Sequence, residues 1–204
     1  AFGDAAAMDA AMKEKTAGII IEPIQGEGGI RQVPRDYLAH LRNLCDQHGL
    51  LLMFDEVQCG LARSGTLYAY QQMGVTPDLL ASAKGLGGGF PIGACLVTEQ
   101  ASAAMVAGSH GSTFGGNPLA CAVANAVLDE VTAPGFLDAV RDNGAHLREG
   151  LNQLLAQHPD KLSSVTGAGL MIGLGCKVTN TELHKRLIAN HLLTVKGGGN
   201  SLRI

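Results

Sequence analysis

Runs of β-branched and aliphatic residues alternate along the chain with stretches whose apolar positions recur every three or four residues. Ala17-Gly-Ile-Ile-Ile-Glu22 is such a run and predicts a buried strand. Pro34 opens a helix as its first residue; Tyr37, Leu38, Leu41, Leu44, Cys45 and His48 share one face, and Gly49 closes it. A second strand is expected at once over 50–54, a short helix over 66–73, and strands over 79–82 and 92–98. The pair Asn117-Pro118 caps a helix through Val131 that is apolar nearly all round, so it is expected to be buried. From Pro134 the pattern changes. A long amphipathic helix over 135–157 carries Phe136, Val140, Leu147, Leu151, Leu154 and Leu155 on one face, and a strand (170–176), a helix (181–193) and a strand (201–204) follow. This alternation predicts an α/β fold with a mostly parallel sheet in 1–133 and the start of a smaller α+β unit in 134–204.

Composition narrows the classes. With 204 residues, 46% of them hydrophobic, 16% charged and a net charge of −3, the chain has enough apolar material for a core and no basic excess to hold nucleic acid. Its longest apolar runs are too short to span a bilayer. Cys45, Cys59, Cys95, Cys121 and Cys176 form no Cys-x-x-Cys pair and read as small core residues of a reducing, cytoplasmic setting, not as disulfides or metal ligands. No targeting peptide is visible, and the ends at Ala1 and Ile204 resemble cuts through a larger protein.

Chemistry concentrates where strands end. Lys84 closes an apolar stretch and runs into Gly85-Leu-Gly-Gly-Gly-Phe-Pro-Ile-Gly93, a setting expected to keep its amine out of water and to let a ligand approach the backbone. The strand before it ends in Asp55-Glu56-Val57-Gln58. An amine and a carboxylate at neighbouring strand ends are what a pyridoxal-phosphate enzyme needs, the lysine for a covalent link and the aspartate for the pyridine nitrogen. Glu22 also falls at a strand end, and in open α/β sheets ligands sit beyond those ends. Four apolar residues before Asp-Glu equally fit a Walker-B strand, but the chain has no Gly-Lys-Ser/Thr to cradle a nucleotide. The glycines and hydroxyls of His110-Gly-Ser-Thr-Phe-Gly-Gly-Asn117 suit a phosphate near a helix start, with His110 itself read as structural.

Four segments in order, Glu22-Pro-Ile-Gln-Gly-Glu-Gly-Gly29, Phe54-Asp-Glu-Val-Gln58, Ala83-Lys-Gly-Leu-Gly-Gly-Gly-Phe-Pro-Ile-Gly93 and His110 through Cys121, make the chain resemble class III pyridoxal-phosphate aminotransferases of fold type I. The resemblance implies pyridoxal 5'-phosphate as cofactor, bound at Asp55, Glu56, Val57, Gln58, Lys84 and Thr113, with Lys84 and Asp55 catalytic. Val57 would pack on the ring, Gln58 would lie near its hydroxyl, and Thr113 would take the phosphate across a homodimer interface. It further implies Ser112, Glu22 and Arg203 as substrate contacts, Arg203 gripping a carboxylate that Glu22 gates. The implied reaction moves the terminal amine of N2-acetylornithine to 2-oxoglutarate, with succinylornithine, ornithine and 4-aminobutyrate as alternative donors. Two departures stand out: Cys59-Gly-Leu-Ala-Arg63 replaces Thr-Gly-x-Gly-Arg, and Thr166-Gly-Ala-Gly169 lacks a preceding arginine. The family's N-terminal half, with its main phosphate turn, ring-stacking aromatic and a further arginine, has no counterpart in the chain.

Overall fold

Two main sheets organise the structure, a computed structural model that describes residues 2–204. Helix α1 (Ala5–Ala11) leads into strand β1 (Gly18–Ile21), the short antiparallel pair β2 (Ile24–Gln25) and β3 (Arg31–Gln32), and helix α2 (Arg35–His48). Strand β4 (Leu51–Asp55), helix α3 (Tyr70–Met73), strand β5 (Leu79–Ser82), a single 3₁₀ turn (Lys84–Gly87), strand β6 (Ala94–Val97) and helix α4 (Glu99–Ser102) follow. Helices α5 (Pro118–Val131) and α6 (Phe136–Gln157) precede strands β7 (Leu162–Ala168) and β8 (Met171–Cys176). Helix α7 (Asn180–Ala189) and the hairpin of β9 (Val195–Gly197) and β10 (Ser201–Arg203) complete the order.

The first sheet runs β1-β4-β5-β6, parallel except for the last strand. Register sets Ile21 beside Phe54 and Asp55 beside Ala81, so three parallel strands finish along one edge. Parallel neighbours need a crossover, and α2 provides it. Its Leu38, Leu41 and Cys45 pack with Ile19, Leu52 and Phe54, each buried leucine contributing about 2 kcal/mol. The helix stops where Gly49 takes a left-handed conformation, φ 64°. Pro34 stands one place earlier than expected, as the cap, and His48 is exposed instead of joining the apolar face.

The second sheet, β7-β8-β10-β9, is antiparallel, and α6 and α7 cover Ile172, Leu174 and Leu202. Pairing and not apolar content makes β7 and β9 strands, which explains why neither is marked in the sequence. The two sheets are joined by short-range backbone contacts. Leu170 donates its N–H to the Arg63 carbonyl at 2.9 Å, and a Cβ on Gly169 would meet the Ser64 carbonyl carbon at 2.5 Å.

Two further expectations fail. Helix α5 is apolar but lies on the 3₁₀ turn along one side only, burying Ala120, Ala124 and Val131 and leaving Leu119 62% exposed. The helix expected over 66–73 forms only at Tyr70–Met73, because the Thr66 hydroxyl and the Leu67 carbonyl are held in a turn by Tyr68 and Ala62. Among the described residues no helix is long and apolar enough to cross a membrane.

Candidate active site

Glu22, Asp55 and Lys84 lie at or just beyond the carboxyl ends of β1, β4 and β5, the edge where α/β sheets place ligands. Asp55 is half-buried, and its Oδ1 accepts the Val57 N–H at 3.0 Å in a short side-chain turn that ends β4. Lys84 begins the 3₁₀ turn with φ 47°, a left-handed conformation rare for a residue carrying a side chain. That backbone stands the lysine off the sheet. Its side chain is exposed, contrary to the shelter its apolar strand suggests, because the glycines that follow carry no side chain to cover it. Lys84, Val57, Gln58 and Arg63 line one cavity of about 190 Å³.

Next to it lies a second cavity of about 340 Å³ that holds Arg203 and shares Gln58 and Arg63 with the first. Arg203 Nη1 donates to Glu27 Oε1 at 2.7 Å and to Gln58 Oε1 at 3.2 Å. Gln58 Nε2 in turn donates to Glu27 Oε1 at 3.4 Å. Hydrogen bonding from Gln58, then from Arg203 and its charge, with a smaller pull from Lys84, holds the Glu27 carboxyl below the usual range. The Nε of Arg203 is buried with no partner among the described residues.

Glu22 is therefore not the partner of Arg203. Its Oε2 accepts the Gly26 N–H at 3.0 Å and shapes the loop that carries Glu27. The sequence does contain the signal, a second glutamate in Glu22-Pro-Ile-Gln-Gly-Glu27 flanked by glycines. Those glycines decide the matter: a Cβ on Gly26 would lie 2.1 Å from Gln58 Oε1, and one on Gly29 would lie 2.4 Å from the Gly198 carbonyl of the β9–β10 turn. Gly198 N–H completes the junction by donating to the Glu27 carbonyl at 2.7 Å.

Glu56 also departs from its expected place. It is buried, and its two oxygens accept the N–H groups of Ala69 (2.5 Å) and Tyr70 (2.8 Å) at the start of α3. Successive residues leaving a strand face opposite ways, so Asp55 and Glu56 cannot share one cavity. Burial raises the Glu56 pKa, which those amides only partly offset. Ser112 and Thr113 lie in an exposed loop and line neither cavity; Ser112 Oγ accepts the Gly115 N–H at 3.0 Å. His110 is exposed in the same loop.

Known structures share this fold. The whole chain superposes on 54% of N-acetylornithine aminotransferase from Stenotrophomonas maltophilia K279a, with a TM-score of 0.89 and 36% identity. It superposes equally fully on 49% of ornithine aminotransferase from Toxoplasma gondii ME49, with a TM-score of 0.92 and 33% identity. A parallel sheet ending in an aspartate and a lysine, beside an antiparallel unit that brings an arginine, is thus the fold-type-I architecture of pyridoxal-phosphate-dependent aminotransferases. Residues 3–204 match Aminotransferase class-III, and the chain belongs to that family. An acetylornithine aminotransferase of Mesorhizobium japonicum is 52% identical over 203 residues, which cover 100% of this chain and 51% of the relative. The chain spans about half the length of the curated relatives it matches.

Proposed function

We propose that the whole protein is a cytoplasmic, homodimeric aminotransferase of arginine biosynthesis. It passes the terminal amine of N2-acetylornithine to 2-oxoglutarate and releases N-acetylglutamate semialdehyde and glutamate. The observation that carries this reading is Arg203, a half-buried arginine whose Nε–H has no partner among the described residues and whose carboxylate partner is displaceable, one shared wall away from Lys84. A guanidinium so placed suits a carboxylate presented bidentately. We further propose that residues 1–133 are part of the cofactor-binding domain and 134–204 the start of the smaller one.

Pyridoxal 5'-phosphate fits the donor set of the Lys84 cavity, where an amine, the Val57 side chain and the Gln58 amide lie beyond the Asp55 strand end. When bound, it supplies an aldehyde for amines and a ring that draws electrons from the carbon losing its proton. Lys84 is the anchor and the proton carrier. Its exposure in this chain leaves room for a ligand to cover it. Asp55 has Oδ2 without a hydrogen-bond partner among the described residues, and this oxygen is assigned to the protonated ring nitrogen. A carboxylate there would favour the protonated form of that nitrogen. Glu27 neutralises Arg203 until the acceptor's carboxylate replaces it.

The 52% identity to an acetylornithine aminotransferase over the whole of this chain supports this donor. The exposed Thr113, beside Phe114 at 80% exposure and Leu119, is assigned to the partner subunit's cofactor phosphate, since it reaches neither cavity of its own chain. A nucleotide hydrolase needs Glu56 facing a ligand, and that carboxylate is consumed by backbone amides. Borohydride reduction of the full-length protein, then peptide mapping, tests the proposal. A pyridoxyl mark on Lys84 is expected; ATP hydrolysis without that mark refutes it.

A further inference from the structure

We infer that Arg63 is a second guanidinium for the acceptor's carboxylate, working with Arg203 and favouring substrates in which that carboxylate is bonded to the reacting carbon. The inference rests on the aminotransferase reading and extends it to specificity.

Gln58 and Arg63 are the two residues that line both the Lys84 cavity and the Arg203 cavity. A substrate that reacts at Lys84 while held by Arg203 must cross the boundary these two form. In an oxo acid the carboxylate is one bond from the reacting carbon, so it is the group that lies at that boundary. The charged side chains lining the Lys84 cavity are both cations, Lys84 and Arg63, and no carboxylate lines it. This wall is therefore cationic and suited to a ligand's anion.

Arg63 differs from its fellows. Of the eight arginines in the sequence, seven donate hydrogen bonds from the guanidinium: Arg31, Arg35, Arg42, Arg141, Arg148, Arg186 and Arg203. Arg63 makes none and forms no ion pair among the described residues. Yet its backbone is held at both ends, Arg63 N–H donating to the Gly60 carbonyl (3.2 Å) and the Arg63 carbonyl accepting from Leu170 (2.9 Å). The two residues before it, Leu61 and Ala62, are buried and both adopt left-handed backbone conformations, φ 49° and 65°. Strain of this kind persists only where surrounding structure over-determines it, and it concentrates at binding sites. Arg63 itself is exposed, so this strained loop presents its side chain to a ligand instead of packing it away. The free guanidinium at the end of this fixed loop is available to a carboxylate in the charge-assisted manner that makes arginine selective.

The donor gives the contrast. The terminal carbon of N2-acetylornithine that bears the amine carries no carboxylate, so Arg63 serves the acceptor and not the donor. The test uses the full-length protein carrying Arg63→Gln and Arg63→Lys, with melting temperature confirming that each folds. Calorimetry with glutarate, a dicarboxylate that cannot react, is expected to show about tenfold weaker binding for Arg63→Gln and partial recovery for Arg63→Lys. In steady state the KM for 2-oxoglutarate should rise about tenfold while the KM for N2-acetylornithine changes less than about twofold. Unchanged glutarate affinity, or equal loss for both substrates, overturns the inference. Absence of transamination in the wild type defeats the broader functional reading instead, while the glutarate measurement still reports on Arg63.

Discussion

Arg203 is bound to Glu27 at 2.7 Å, across 176 residues of sequence, and not to Glu22 at the nearer strand end. Glu27 is exposed and hydrogen-bonded only at its tip, so an incoming carboxylate can replace it at little cost, whereas Glu22 is tied into its own loop. Glu27→Gln should lower the KM for 2-oxoglutarate several-fold and slow the donor half-reaction, because Arg203 is left ready for any carboxylate. Glu22→Gln should leave carboxylate affinity within about twofold. Steady-state kinetics on both variants separates the two, and the reverse pattern would reinstate Glu22.

The same pair has a pH signature. Gln58 and Arg203 hold the Glu27 carboxyl below its ordinary value, so the folded state binds its proton less readily than the unfolded state. The pair's stabilising effect is therefore complete above the ordinary glutamate range and is lost as pH falls through the lowered value. Wild type and Glu27→Gln should differ in melting temperature near neutrality and converge in acid. A constant difference across that range would show that the ion pair is not its source.

Backbone contact between the Glu27 loop and the β9–β10 turn fixes the distance between Glu27 and Arg203. A Cβ at Gly29 would meet the Gly198 carbonyl at 2.4 Å, in a residue with φ +100°. Gly29→Ala should destabilise the protein by about 1–3 kcal/mol, measured by urea unfolding, and raise the KM for 2-oxoglutarate as the pair is pushed apart.

Glu56 links the end of β4 to the start of α3 through two amide hydrogen bonds. Glu56→Ala leaves both donors buried without partners and should cost about 2–4 kcal/mol. The spectrum of bound cofactor should be unchanged in the surviving folded protein, since the carboxylate faces away from Lys84. Asp55→Ala should do the opposite, keeping near-normal stability while cofactor affinity and turnover fall steeply.

Local chemistry in the sequence determined a good deal. The β-branched run 18–21, the apolar face Leu38-Leu41-Cys45 and the Asn117-Pro118 cap need only neighbouring residues to specify strand, helix and helix start, and each formed where expected. The placing of Asp55 and Lys84 along one edge was legible for the same reason: Asp55 ends β4, Lys84 follows β5, and parallel strands put their ends on one edge. Tertiary structure decided what depends on residues distant in sequence. Pairing made β7 and β9 strands, a glycine-to-glycine approach brought Glu27 to Arg203, and strand alternation followed by two backbone amides removed Glu56 from the site. Which of two adjacent carboxylates meets a ligand depends on direction in space, and direction is settled only when the start of α3 folds back onto the end of β4.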